Sequence, residues 1–270
     1  MSETAAGVAG APEEPWALAL FRRSVLKQRK LAEITRALGD TEGMRCLDLG
    51  SDNGVVSLLL RRRGGGWASA DLTEEAVTST RGLVGSDVHL LADGAPLPFA
   101  DAEFDRVVVV DMLEHVRDDA AFVGELARVL RPGGRLVVNT PHRKDTALRR
   151  LRHALGQTDE KHGHLRPGYT PEEITRLLSP TFRPEGHRTY SRFFSEAVDA
   201  AINAIVEGLG KKGSAKGMVV TAGDVRRHRR LFAAYSLVYP AVWLLSRMDT
   251  LIPWSSGYML IATARREGCS

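Results

Sequence analysis

Cysteine is nearly absent from this chain, with two in 270 residues, Cys46 and Cys269. The first lies in an apolar run expected to be a buried strand and the second in the tail. A disulfide framework is therefore not expected, and a reducing, cytoplasmic setting is. Aromatic residues make up only 6% of the chain, and no apolar run approaches the ~20 residues that cross a bilayer. Residues 1–15 have no basic start and no apolar core, so they read as a disordered leader, not as a signal peptide. A large excess of one charge is missing too: 37 Lys and Arg oppose 33 Asp and Glu, a net charge of +4. That balance selects no partner by itself. Hydrophobic residues at 43% and charged residues at 26% are ordinary globular proportions. They suffice for one α/β domain with an elaboration, or for two small domains.

The chemistry is concentrated in Cys46-Leu-Asp-Leu-Gly-Ser-Asp-Asn-Gly54, followed seventeen residues later by Asp71. An apolar strand runs into a turn with Gly50 and Gly54, then into the helical pattern from Val55 to Leu60. A second strand follows the Gly64-Gly-Gly66 break and ends at Asp71. Glycine lets backbone pass close to a ligand, and an acid on the next strand suits ribose hydroxyls. A dinucleotide fingerprint would need glycine at 52 and 55, where Asp52 and Val55 stand. An acid at 52 would also repel phosphate at the helix N-terminus. A ligand with ribose and adenine but no phosphate fits better, and S-adenosylmethionine is one. A tight strand-to-helix connection without a ligand is the competing reading.

Further on come Val88-His-Leu-Leu-Ala-Asp93-Gly94, Leu97-Pro-Phe99, Phe104-Asp-Arg-Val-Val-Val-Val-Asp111-Met-Leu-Glu-His115-Val116, Leu126-Ala-Arg-Val-Leu-Arg-Pro-Gly-Gly-Arg-Leu-Val-Val-Asn139 and His164-Leu-Arg-Pro-Gly-Tyr169. In order and spacing this series resembles the motifs of class I S-adenosylmethionine-dependent methyltransferases. The nearest likeness is to the small-molecule branch containing the quinone-biosynthesis C- and O-methyltransferases, over roughly residues 40 to 190. The resemblance implies that Asp71 receives the ribose hydroxyls and Asp93 the adenine amino group. It implies that Asp48 fixes the loop near the amino-acid end and that Met112 packs on the cofactor. Ser51, Leu72, Gly94 and Asp111 flank these positions. For Asp48 and Asp93 the residues alone also allow turn or helix capping. Asp52 departs from the family, where glycine is usual, and its side chain narrows the turn or reaches for the cofactor's ammonium group.

Alternation of strand and helix over residues 44–139 predicts a Rossmann-like, doubly wound sheet, with Val107 to Val110 in a central buried strand. Sixth and seventh strands are expected near Arg188–Ser191 and Gly257–Thr263, making seven in all. Residues 16–38 carry one helical pattern that, by resemblance, lies across the cofactor mouth. Arg131-Pro-Gly-Gly134 should end a helix. Thr170-Pro-Glu-Glu173 should start one with a capping box. The domain thus spans 16–191 and 256–267, with a helical insertion over 192–255. About 65 residues between the last two strands exceed any ordinary loop. Within the insertion, Phe194, Val198, Ala201, Ile202, Ile205 and Leu209 share a helical face, with Glu196 opposite. Arg226-Arg-His-Arg-Arg230 then precedes the apolar run Leu231 to Leu245. A basic cluster beside an apolar, aromatic run fits an anionic membrane surface. Packing on the sheet or a homodimer contact are the other readings.

Methyl transfer from a sulfonium needs alignment, a dry pocket and a deprotonated acceptor. His142 and His115 are the candidate catalytic residues, His142 as general base and His115 shaping the pocket. Each is also explicable as a structural hydrogen-bonding group. Glu160, His162 and His164 alternate as zinc ligands could, but no fourth ligand is evident, and no metal is expected. The expected acceptor is small and hydrophobic or lipid-like. RNA is disfavoured because the fourth strand does not end as in base-amino methyltransferases and no RNA-binding module is present. A cofactor-binding protein without turnover is the alternative from another class.

Overall fold

The computed structural model describes residues 16–146, 148–150, 164–209, 236, 238–252 and 254–268. The leader, the tail with Cys269, Glu160, His162 and the arginine cluster at 226–230 lie outside these residues. Seven strands form one sheet in the order β3-β2-β1-β4-β5-β7-β6. They are β1 (Arg45–Leu49), β2 (Gly66–Asp71), β3 (Val88–Leu90), β4 (Phe104–Val110), β5 (Leu130–Pro141), β6 (Phe182–Tyr190) and β7 (Met259–Arg266). The β1–β2, β1–β4, β2–β3 and β4–β5 pairs are parallel. β7 slots between β5 and β6, antiparallel to both. This is a Rossmann-like sheet with one antiparallel strand.

The valines of β4 show why the sheet is covered on both faces. Val107 and Val109 join Leu47, Leu49, Leu136 and Val138 in one apolar layer. Val108 and Val110 join Cys46, Val137 and Ile261 in the other. Side chains alternate along a strand, so four successive valines need two covers, and each buried valine is worth about 1.5–3 kcal/mol. Helices α5 (Asp119–Val129) and α6 (Pro171–Leu178) supply Leu126, Ile174 and Leu178 to the first layer. Helices α2 (Val25–Leu38) and α3 (Val55–Arg61) supply Ile34, Leu38 and Leu60 to the second. Cys46 is wholly buried there, and burial pushes its thiol up to about 12, so it is chemically inert.

Several sequence expectations are corrected. The leading helix is two: α1 (Trp16–Arg22) and α2 are separated at Ser24, which caps α2 by accepting from the Lys27 amide. α5 ends at Val129, and Arg131 to Gly134 lie within the irregular start of β5. The sixth strand starts earlier than expected, at Phe182. The capping box on Thr170 is present as expected, with Thr170 and Glu173 bonding each other's amides. The segment between β6 and β7 opens with α7 (Phe193–Leu209). Phe194, Val198 and Ile202 are half-buried, and the side chains of Ile205 and Leu209 lie outside the described ones. Glu196, expected on the opposite side, is buried. Ser195, Glu196 and Ala200 are buried while Ala201 is exposed. The reason is polar. Lys144 reaches the Glu196 carboxylate at 2.9 Å, and Asp249 accepts from the amides of Phe194 and Ser195 at the start of α7.

Candidate functional site

The turn after β1 is closed by protein as much as opened for a ligand. Gly50 has φ +84, and a Cβ on it would lie 2.0 Å from the Val110 carbonyl oxygen, so only glycine lets β4 end beside β1. Gly54 has φ +77, and a Cβ there would lie 2.6 Å from Thr80 Cα on α4 (Glu74–Val84). Its glycine requirement is close packing of α3 against α4, a cause that the sequence reading, concerned with a ligand, missed. Asp52 takes a left-handed φ of 48°. Its half-exposed carboxylate lies 3.7 Å from Lys27 Nζ, so it faces α2.

Across this turn stands Asp71. It accepts from the Asp52 amide at 3.1 Å, the Ser51 hydroxyl at 3.5 Å and the Thr73 amide at 3.3 Å. Burial raises its carboxyl above the usual range, and these amide donors oppose the shift. Asp48 is deeper. It is 2% exposed, accepts from the Ser57 hydroxyl on α3 and lies 3.9 Å from Arg61, so it ties β1 to α3 from beneath the turn. Burial raises its carboxyl as well. Asp93 is exposed beyond β3, 3.3 Å from Arg117 Nε. Gly94 beside it has φ +81 with open space around it. Leu72 is partly buried against the core, and Met112 is buried against it. Two carboxylates near the ends of β2 and β3, with a third at the start of α3, suit a ligand bearing hydroxyls and an amine and no phosphate.

At the end of β4 a network appears that the sequence did not announce. Asp111 has φ 46°. One carboxylate oxygen accepts from Asn139 Nδ2 at 2.7 Å, and the other meets the Lys30 ammonium. The buried Tyr190 hydroxyl donates to Asn139 Oδ1. Burial alone would lower the Lys30 ammonium, but Asp111 more than offsets it and the net shift is upward. Below lies Glu114, wholly buried, accepting from the Thr140 hydroxyl at 3.2 Å. Burial, reinforced by Asp111, pushes its carboxyl up to about 8. Lys30 was visible only as one of several basic residues in the leading helix. Nothing local marked it as the partner of a residue 81 positions away.

The histidines divide. His115 ends the 3-10 turn Leu113–His115, and its ring meets His164 edge to face at 4.8 Å between centroids. The segment from His164 to Tyr169 braces that turn: the Leu165 amide donates to Glu114 O and Arg166 to Leu113 O, both at 2.9 Å. Glu114, His115 and His164 each bring one potential ligand atom within 4.8 Å of the others. That spread is looser than the about 3.3 Å between ligand atoms of tetrahedral zinc. His142 stands elsewhere, bridged to Tyr169 at the end of β5. Its Nδ1 donates to Gly257 O at 2.7 Å, which leaves Nε2 as the acceptor. Burial lowers its pKa, with the Gly257 carbonyl opposing and Lys144 assisting. The structure thus gathers Gly50, Ser51, Asp52 and Asp71, and joins Asp111 to Lys30. His142 has Gly257, Lys144 and Glu172 as its own partners.

The fold is the Rossmann-like one shared with solved methyltransferase structures. Residues 47–138 match the family model described as a methyltransferase domain. The chain is 39% identical over 106 residues to a ubiquinone biosynthesis O-methyltransferase from Xylella fastidiosa, covering 37% of this chain and 43% of that protein. It is 40% identical over 107 residues to a demethylmenaquinone methyltransferase from a Mycobacterium species, covering 39% and 45%. The match thus spans less than half the length of these relatives. Among solved structures, a putative methyltransferase from Bacillus halodurans superposes with a TM-score of 0.54 at 18% identity, covering 89% of this chain and all of that one. The cyclase SpnF superposes at 0.58, also at 18% identity, covering 90% and 82%. At such identities the likeness is one of fold, and the cyclase shows that this fold hosts other chemistry.

Proposed function

We propose that the protein transfers a methyl group from S-adenosylmethionine to a small quinone-type acceptor, hydrophobic or lipid-linked. The observation that carries this reading is Asp71, a half-buried carboxylate facing the Gly50–Gly54 turn from the end of β2. The curated relatives supply the acceptor class. Asp71 would hold the ribose and Asp93 the adenine amino group, with Gly94 and Leu72 beside them. Ser51, Asp52 and the turn that Asp48 anchors would lie along the amino-acid end, and Met112 and Asp111 would close the floor. Bound there, the cofactor supplies an electrophilic methyl on sulfur. The chain's own work is alignment and exclusion of water, which α2 favours by lying against both Asp52 and Asp111.

His142 is the proposed base for an oxygen acceptor. Its Nδ1–H is fixed on Gly257, and its lowered pKa keeps Nε2 unprotonated near neutrality. His115 shapes the pocket wall beside Met112. Incubation of the protein with methyl-labelled cofactor and separate lipid and aqueous extracts of cells tests the reading. Label is expected in the lipid fraction. Cofactor binding with no label transferred to either extract would sink methyl transfer and leave a binding protein.

A further inference from the structure

The insertion presents a face whose character is inverted. After α7, the described chain resumes in a short helix over 238–247 and the 3-10 turn Met248–Leu251. Its inward residues are Val242, Ser246 and Asp249, at helical spacing and buried. Asp249 sets that orientation. Its carboxylate accepts from the amides of Arg192, Phe194 and Ser195 and from the Arg29 guanidinium at 2.8 Å. Gln28, next to Arg29, reaches Tyr239 at 3.3 Å. The side away from Val242, Ser246 and Asp249 carries Trp243, Leu244 and Arg247; Val238 and Leu245 are exposed at its flanks, and Leu251 and Trp254 are exposed just after the helix. The apolar ones are six of the nine large hydrophobic residues exposed among the described ones, with Leu251 65% and Trp254 81% exposed. A helix bathed by water would turn such a face inward.

We propose that this face docks on an anionic lipid bilayer. Charge selects the occupant. From residue 226 to residue 266 the sequence holds a single acid, Asp249, and it is buried and paired. Arg247 is exposed within the patch, its guanidinium 4.4 Å from the centre of the Trp243 ring. A protein interface surrounds its apolar centre with a mixed polar rim. Among the described residues 238–252, Arg247 is the only exposed charged side chain, and tryptophan beside arginine suits the boundary between headgroups and acyl chains. The surface would lie on the bilayer, since no helix among the described residues is long and apolar enough to cross one. Its connection to the site runs through α2, where Arg29 holds Asp249 and Lys30 holds Asp111. The purpose of docking, access to a lipid-linked acceptor, rests on the proposed methyl transfer. The docking itself does not.

The test sediments the full chain with phosphatidylcholine vesicles, with and without phosphatidylglycerol, at low and high salt. Binding is expected to the anionic vesicles at low salt and to fall as salt screens the arginine charge. The Leu244→Ser, Leu251→Ser, Trp254→Ser triple variant should partition at least about tenfold less. Arg247→Ser should weaken binding to anionic vesicles alone. These side chains are exposed, and an unchanged circular dichroism spectrum confirms that the variants fold. A wild-type chain left in the supernatant with anionic vesicles at low salt overturns the proposal, as does a triple variant that sediments like wild type. A wild-type dimer that the triple variant splits, with neither binding vesicles, overturns it in favour of a second copy. Vesicle binding without any cofactor binding would instead remove the methyl-transfer reading and leave this one standing.

Discussion

The turn between β1 and α3 and the segment over 238–254 both hold side chains where water alone would not put them, and they do so by different means. At the turn, acids converge: Asp48, Asp52 and Asp71 come from residues close in sequence, and backbone amides, Ser57 and Lys27 hold them. Over 238–254, leucines and tryptophans face outward because a single buried carboxylate, Asp249, clamps the opposite side to α2 and α7. The first arrangement joins the turn to the end of the neighbouring strand β2 through backbone amides. The second depends on one polar joint between parts of the chain 220 residues apart. A binding site made of adjacent residues is therefore expected to tolerate damage elsewhere, whereas the insertion's surface is not expected to outlast its joint.

That contrast breaks most visibly at catalysis, if His142 is the base. His142→Ala should lower turnover by roughly 10²–10⁴-fold while cofactor affinity is kept, because the hydrogen bond that fixes its ring goes to Gly257 and not to the Asp71 turn. Equal rates for variant and wild type from mildly acid to mildly alkaline pH would move the role to His115. Next in size is Asp249→Ala, which removes the carboxylate paired with Arg29 and uncaps α7. A loss of about 3 kcal/mol in urea unfolding is expected, at the low end for a broken buried pair because Arg29 is partly exposed. Cofactor affinity in the folded variant should change little. A loss under about 1 kcal/mol would mean that the joint is not what orients the outer face.

Asp71→Ala addresses the other region. Loss of a charged acceptor for ribose hydroxyls, at about 1.5–3 kcal/mol, should weaken cofactor binding at least tenfold by calorimetry. The stability of the insertion should be untouched, and unchanged affinity would take Asp71 out of the site. The gentlest effect is spread over pH. Burial, then Asp111, raises the Glu114 carboxyl from 4.5 to about 8, so between those values the folded chain holds a proton that the unfolded chain has released. The sign follows: this contribution is whole below the lower value and is lost as pH rises toward the upper one. Urea midpoints should fall over that window, and Glu114→Gln should flatten the fall. Parallel pH profiles for the two proteins would show that Glu114 titrates normally.

Much of the fold was legible because its signals are local. Four valines in β4, a glycine turn before α3 and the Thr170 capping box are written in contiguous residues. The acids at the ends of β2 and β3 follow from the same spacing. The burial of Glu196 and Ser195 on α7 was not legible because periodicity weighs only hydrophobicity, and it is Lys144 and Asp249 that hold them inward. Gly54 was seen as a ligand glycine because its real neighbour, Thr80, belongs to another helix.

By itself, then, the sequence determined the alternating elements, the buried central strand and the acids around the first turn, since each follows from near-neighbour geometry and the period of a helix or strand. Only the tertiary structure decided that β7 lies between β5 and β6, that Lys30 answers Asp111, and that Trp254 and its neighbours face outward. Those outcomes depend on pairings between distant residues. Burial and charge compensation belong to the neighbours a side chain acquires on folding, and no short window of sequence contains them.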